Sequence, residues 1–211
     1  MPRMYKPARA GPKRRKRTGD EVREEGLAAA RQLLLEGGPG AVTLANVGDA
    51  IGMSHANVLH HFGSAAGLQS ALMGSMIDDL TAALGNVVDL LETDQAAPRT
   101  IADHVFDAFD QGGAGPLAAW IVLSGDVARL EPIRESVQAL VAAIVGQSKD
   151  AGAPERISAA VLMMAVSAFG DAVIGPHLRP MLGQDDDAMR DLVARFLPLF
   201  LTSDFLSPAS S

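Results

Sequence analysis

Residues 43–62 read TLANVGDAIGMSHANVLHHF. Behind Thr43, a residue type that caps helix N-termini, Leu44, Val47 and Ile51 recur at helical spacing. Gly52-Met53-Ser54 interrupts the pattern, and Ser54 caps a second short helix in which Val58 and Phe62 fall one turn apart. Two short helices joined by a tight turn need a small residue where they cross, a turn residue free of Cβ restrictions, and apolar pegs on the second helix. Gly48 and Gly52 fill the first two roles, and Met53, Val58 and Phe62 the third. With the pegs inward, the outward side carries His55, Asn57, Leu59, His60 and partly His61. Asn pairs bidentately with adenine, His donates to a guanine edge or a phosphate, and the free amides at the Ser54 end suit a phosphate oxygen. A short helical hairpin in any helical protein presents a similar pattern, so the rest of the chain must decide.

Upstream, Thr18-x-x-Glu21 has the form of a capping box, and Val22, Leu27, Ala30, Leu33 and Leu34 share roughly one helical face until Gly37-Gly38-Pro39-Gly40 stops it. Downstream, an apolar helical pattern runs over 65–92 through Leu68, Leu72, Met76, Leu80, Leu84 and Leu91. Pro98, Pro116, Pro132 and Pro154 each precede a further apolar run, which predicts helices near 98–111, 116–125, 131–149 and 154–175. A last helix is expected over 185–205, with three aspartates at its start to complement the dipole and Pro198 to kink or end it. The fold expected is all-α. It divides into a basic arm over 1–17, a three-helix helix-turn-helix domain over 18–64 and a helical-bundle body over 65–211.

Composition agrees with that class. Of 211 residues 48% are hydrophobic, only 4% are aromatic and none is cysteine, so a packed helical core has to hold the chain without disulfides or thiolate sites. Charge is unevenly spread. The first 17 residues carry eight cations (Arg3, Lys6, Arg9, Lys13, Arg14, Arg15, Lys16, Arg17), three prolines and no acid, too little apolar surface to offset ordering. Up to Phe62 the chain has ten basic against six acidic residues, and beyond it eight against nineteen, within a total of -7. A basic front on an acidic body suits a nucleic-acid module joined to a body that avoids DNA. The basic start has no apolar h-region, and the segment 157–175, apolar enough to suggest a membrane span, contains Asp171; a buried interface helix and a cytoplasmic protein are expected.

The stretch REEGLAAARQLLLEGGPGAVTLANVGDAIGMSHANVLHHFGSAAGL, residues 23–68, resembles the DNA-binding domain of the TetR family of bacterial transcriptional regulators. The resemblance runs through a first helix, a glycine break, a threonine, the helix-turn-helix, His-Phe and a downstream leucine, about a quarter of the chain. It implies an all-helical homodimer with a small-molecule effector bound in the C-terminal domain, usually acting as a repressor that the effector releases. It also implies that Thr43 and His61 touch phosphates while His55, Asn57 and His60 sit on the reading helix. Leu59 stands where the family usually has Tyr, and Ala65 where it often has Lys. Gly26, in place of a usual aliphatic, is expected to cost about 1 kcal/mol of helix stability relative to Ala. Residues 13–17 (Lys13, Arg14, Arg15, Lys16, Arg17) are expected to share the DNA contact by neutralising phosphates or entering the minor groove.

In the body, Ser158, Val161, Ala165, Ala168, Ala172 and Gly175 form a stripe of mostly small side chains. With Met189, Leu192, Val193, Phe196 and Phe200 it makes either a two-fold interface or an intrachain core; the interface reading predicts two recognition helices one turn of DNA apart and a palindromic operator. Candidate effector contacts are His104, Phe109, Trp120, Met164 and Asp171, with His104, Trp120 and Asp171 singled out for polar atoms compatible with burial. His55, His60 and His61 lack the three- or four-residue separation for chelation on a helix, so no metal is expected. No cofactor is expected either. The sequence has no GxSxG, HExxH, GxGxxG or P-loop motif and no cysteine nucleophile, so an enzyme is not expected. The alternative is a helical binding or scaffold protein whose helix-turn-helix has lost specific DNA affinity.

Overall fold

The computed structural model describes residues 17–88, 94–125, 131–146 and 152–201, and among them all regular structure is helical. Nine α-helices follow in order among these residues: α1 (Gly19–Gly37), α2 (Leu44–Ile51), α3 (His55–Phe62), α4 (Ala65–Val88), α5 (Ala97–Phe109), α6 (Ala114–Leu123), α7 (Glu131–Val145), α8 (Ala153–Leu182) and α9 (Ala188–Leu201). A short 3-10 turn, Pro39–Ala41, lies between α1 and α2.

The three expected side-chain caps are formed, whereas α6 starts at Ala114, two residues ahead of the expected Pro116. The Thr18 hydroxyl accepts from Glu21 N at 3.2 Å while the Glu21 carboxylate accepts from Thr18 N at 2.8 Å, closing the capping box. Thr43 and Ser54 accept from Asn46 N and Asn57 N in the same way, at 3.1 and 3.3 Å. The helix expected over 154–175 is longer than its pattern, running to Leu182 through Pro176 and Pro180. Both prolines are exposed. An ion pair between Arg179 and Asp171 ties the turns on either side of Pro176, and left-handed Gly183 finally ends the helix. Nor does Pro198 end the last helix, which continues to Leu201.

Packing gathers around two apolar cores. In the first, Ala30 and Leu34 of α1, Leu44 and Val47 of α2 and Val58 and Phe62 of α3 meet Leu68, Leu72, Met73 and Met76 of α4, with Ala114, Leu117 and Ile121 of α6 closing the far side. The second joins Leu84, Ile101, Val105 and Phe106 to Leu140, Met164, Ala168, Val193 and Leu197. Helix α4 runs through both, so the helix-turn-helix and the body share one rigid rod. Polar ties are few and specific. Gln69, buried in α4, donates to the Val42 carbonyl at 3.2 Å just ahead of α2. Arg190 of α9 donates to Asp107 of α5 at 2.6 Å and lies over the Phe106 ring.

Candidate nucleic-acid interface and body cavity

Helix α3 is held at three points. Its N-terminus is capped by Ser54. Where it crosses α2, Met53 N donates to the Gly48 carbonyl at 2.8 Å, and a Cβ on Gly48 would stand 2.7 Å from Met53 O, which no side chain accommodates. Gly52, at φ 66° and ψ 39°, supplies the left-handed residue of the turn. The third hold is the core contact of fully buried Val58 and of Phe62.

Those holds leave His55, Asn57, Leu59 and His60 exposed together, with Leu59 39% accessible. His61 is half-buried, its ring edge-on to His60 at 5.5 Å between centroids. Thr43, half-buried, accepts its capping bond and keeps its own hydroxyl proton to donate. The surface is thus polar and pre-ordered by caps, as a base-reading face has to be.

Arg17, Arg23 and Arg31 each make contacts within the chain. Arg23 donates to the His61 carbonyl at 3.1 Å and lies 5.2 Å from the centre of the Phe62 ring, placing positive charge at the C-terminal end of α3. Arg17 donates to the Ile51 carbonyl at 3.0 Å, the C-terminal end of α2, and pairs with Glu25 at 3.1 Å. Arg31 pairs with Asp79 at 2.7 Å. Between Arg31 and Arg99 the sequence contains no Lys or Arg. The other cations of the first 98 residues are those of the N-terminal arm, upstream of Arg17. Of that arm, Arg17 is described; Lys13, Arg14, Arg15 and Lys16 lie outside the described residues. The anchoring roles of Arg17, Arg23 and Gln69 are invisible to sequence reasoning, because each depends on a partner at least 27 residues away.

The body encloses a cavity of about 290 Å³ between α4, α5, α6, α7, α8 and α9. Of the five effector candidates, Phe109 and Met164 line it; His104, Trp120 and Asp171 do not. The His104 ring nitrogen Nδ1 is 2.7 Å from the Thr100 carbonyl of its own helix, Asp171 is taken by Arg179, and Trp120 is 48% exposed on the other side of α6. Helical spacing places these residues correctly along their helices and leaves their facing direction open.

The small-residue stripe of α8 faces the chain's own interior over much of its length. Ala168 belongs to the second core, Val161 and Ala165 line the cavity, and Ala172 touches the crossing at Gly115, where a Cβ would stand 2.8 Å from it. Val193 is core as well, and Phe200 packs against it. The exposed apolar residues lie on the opposite side of the same two helices: Leu162, Val166, Val173, Ile174, Leu178 and Leu182 of α8 with Leu192, Phe196 and Leu199 of α9. By length and composition alone α8 is apolar enough to cross a membrane.

Residues 27–72 match the family model of the bacterial regulatory proteins of the tetR family. No curated protein matches the chain. Among solved structures, a TetR-family transcriptional regulator from Pectobacterium atrosepticum is similar with a TM-score of 0.59 at 21% identity, over 90% of this chain and 97% of that one. A transcriptional regulator from Rhodococcus gives 0.57 at 19% identity, over 88% and 99%. A TetR-family regulator from Streptomyces coelicolor gives 0.51 at 20% identity, over 92% and 100%. At such identities the likeness establishes the fold.

Proposed function

We propose that this chain, a TetR-family regulator by its N-terminal domain and its fold, is a cytoplasmic repressor that holds a palindromic operator as a homodimer and lets go when a small molecule fills the body cavity. The observation that carries the reading is the outward face of α3, where His55, Asn57, Leu59 and His60 stand exposed on a helix locked by a cap, a glycine crossing and two buried pegs. Thr43, Ser54 and His61 flank that face as phosphate contacts, and residues 13–17 follow the backbone beyond it. In this reading residues 18–64 are the DNA-binding unit and 65–211 the effector and dimer unit, with no catalytic role.

Two copies joined through the exposed apolar sides of α8 and α9 form a four-helix interface and set their α3 helices about 34 Å apart, one turn of DNA. Release follows from shared walls. Met73, Met76, Ala114 and Ile121 line the cavity and also belong to the helix-turn-helix core. Gly113, at the start of α6, lies against Leu34 of α1, where a Cβ would be 3.1 Å from Leu34 Cδ2. A ligand that displaces α6 or the middle of α4 thus moves the platform under α3, and the spacing of the two reading helices changes.

Selection of preferred duplexes from a random pool, followed by titration at several salt concentrations, tests the function. A palindromic consensus with site-specific, salt-dependent affinity is expected. Weak binding that is uniform across sequences would instead favour a helical scaffold protein with a degenerate helix-turn-helix.

A further inference from the structure

We infer that the molecule taken up by the body cavity is a long aliphatic chain, about twelve carbons in extended form, whose head group stays at the mouth between α6 and α7. The inference rests on the reading of this cavity as the effector site and specifies its chemistry.

Three observations lead to it. The first is the wall: among the described residues, the lining consists of Met, Ile, Leu, Val and Ala side chains with Phe109 as the single aromatic, and it includes no charged or hydrogen-bonding side chain. A polar or ionised ligand would lose its hydration there and regain nothing. A flat aromatic one would find no stack of rings to enter, whereas flexible Met73, Met76 and Met164 conform to an alkyl surface. The polar residues that would anchor another class of ligand, His104 and Asp171, are engaged within their own helices and do not line the cavity.

The second is shape. The lining extends along α4 from Met73 to Leu84 and along α7 from Ile133 to Ile144, eleven helical steps in each case, or about 16 Å at 1.5 Å per step. An extended chain advances about 1.2 Å per bond, so about thirteen bonds, joining about twelve to thirteen carbons and the first head-group atom, span that length. The volume of about 290 Å³ is roughly twice that of an apolar cavity that stays dry and accepts benzene.

The third is the mouth. Val122 of α6 and Val137 of α7 line the cavity yet are 61% and 37% exposed, so the space meets solvent between those two helices. A head group at that point keeps its water while the tail lies between α4, α5 and α8.

The experiment uses the full chain and measures binding without DNA, by calorimetry and thermal shift, for straight-chain alkanols of six to sixteen carbons below their aggregation concentrations. Affinity is expected to rise about fourfold per methylene, the factor for burying one, and to level off near twelve carbons. Dodecanoate distinguishes the source of the chain: binding equal to dodecanol assigns a free or ionised amphiphile with its head in water, and binding of dodecanol alone assigns an uncharged one. Ala118→Phe and, as a second variant, Ala108→Leu place bulk in the cavity and are expected to lower dodecanol affinity at least tenfold while the helical circular dichroism is kept. Affinity independent of chain length, tighter binding of naphthol or a nucleoside than of dodecanol, or unchanged dodecanol binding by both folded variants would overturn the inference. Release of the selected duplex by dodecanol is scored separately: bound chain without release sinks the effector-released repressor and leaves the ligand assignment standing.

Discussion

The Phe62 ring lies against the backbone of α1 at Gly26: a Cβ on that glycine would stand 2.9 Å from Phe62 Cε2 and 3.0 Å from Cζ. A glycine that looks like a helix defect in the sequence is therefore the seat of the last apolar peg of α3. The helix-propensity cost of about 1 kcal/mol is exchanged for a close approach that fixes α3 on α1. In the wild-type background Gly26→Ala is expected to destabilise by up to about 2 kcal/mol, overpacking of about 1–3 kcal/mol outweighing the propensity gain. Once Phe62→Leu has shortened the ring, the same change is expected to stabilise by up to about 1 kcal/mol. Urea unfolding of the four proteins in this cycle measures the reversal of sign; additive effects would show that the two residues are not coupled.

The chain has no Lys or Arg between Arg31 and Arg99, and Arg17, Arg23 and Arg31 have partners, so the other cations of the first 98 residues are those of 1–16. Deleting residues 1–16 is expected to weaken binding to the selected operator and to flatten the plot of log affinity against log salt. The slope falls by about 0.9 for each phosphate no longer neutralised, three to four units if Lys13, Arg14, Arg15 and Lys16 all engage. Titrations between 50 and 200 mM salt, about the range over which such charges dominate, read the slope. An unchanged slope removes the arm from the interface.

Two neighbours on α3 separate reading from folding. Asn57 is exposed, and its backbone N–H donates to the Ser54 hydroxyl. Asn57→Ala is expected to cost about 1–3 kcal/mol of operator affinity, with relaxed preference at one base pair and an unchanged melting temperature. Ser54→Ala is expected to cost about 1 kcal/mol of stability through removal of the cap. Equal thermal effects from both would show that Asn57 has no reading role.

The two faces of α8 predict opposite outcomes for one type of substitution. Val166→Glu or Phe196→Asp places charge on the exposed apolar side and is expected to give a folded monomer by sedimentation, with operator affinity reduced at least tenfold because the second half-site is no longer held. Ala168→Glu places charge in the second core and is expected to unfold the chain instead. A dimer that survives both Val166→Glu and Phe196→Asp would move the interface elsewhere.

What was legible in the sequence is local. Caps at Thr18, Thr43 and Ser54, the stops at Gly38 and Gly52, and the inward Val58 and Phe62 each depend on residues within one or two turns, where spacing alone dictates geometry. For that reason the helical class, the hairpin over 43–62 and its outward residues followed from the letters. Facing direction in the body did not. Alanine, leucine and methionine surround α8 on nearly every side, so periodicity could not distinguish the side that meets Gly115 and the cavity from the side that meets solvent.

Residue spacing and capping chemistry suffice for the helical class, the capped starts at Thr18, Thr43 and Ser54 and the outward side chains of α3, because these interactions act over a few residues. The three-dimensional packing had to show that Phe62 rests on Gly26, that Arg17 and Arg23 close helix ends, and that among the described residues the cavity lining has no polar side chain while His104 and Asp171 engage elsewhere. The physical reason is that these are interactions between segments distant in the chain. Their existence depends on which faces pack together, and in a body built largely of small and aliphatic residues many packings satisfy the same pattern until three-dimensional close packing selects one.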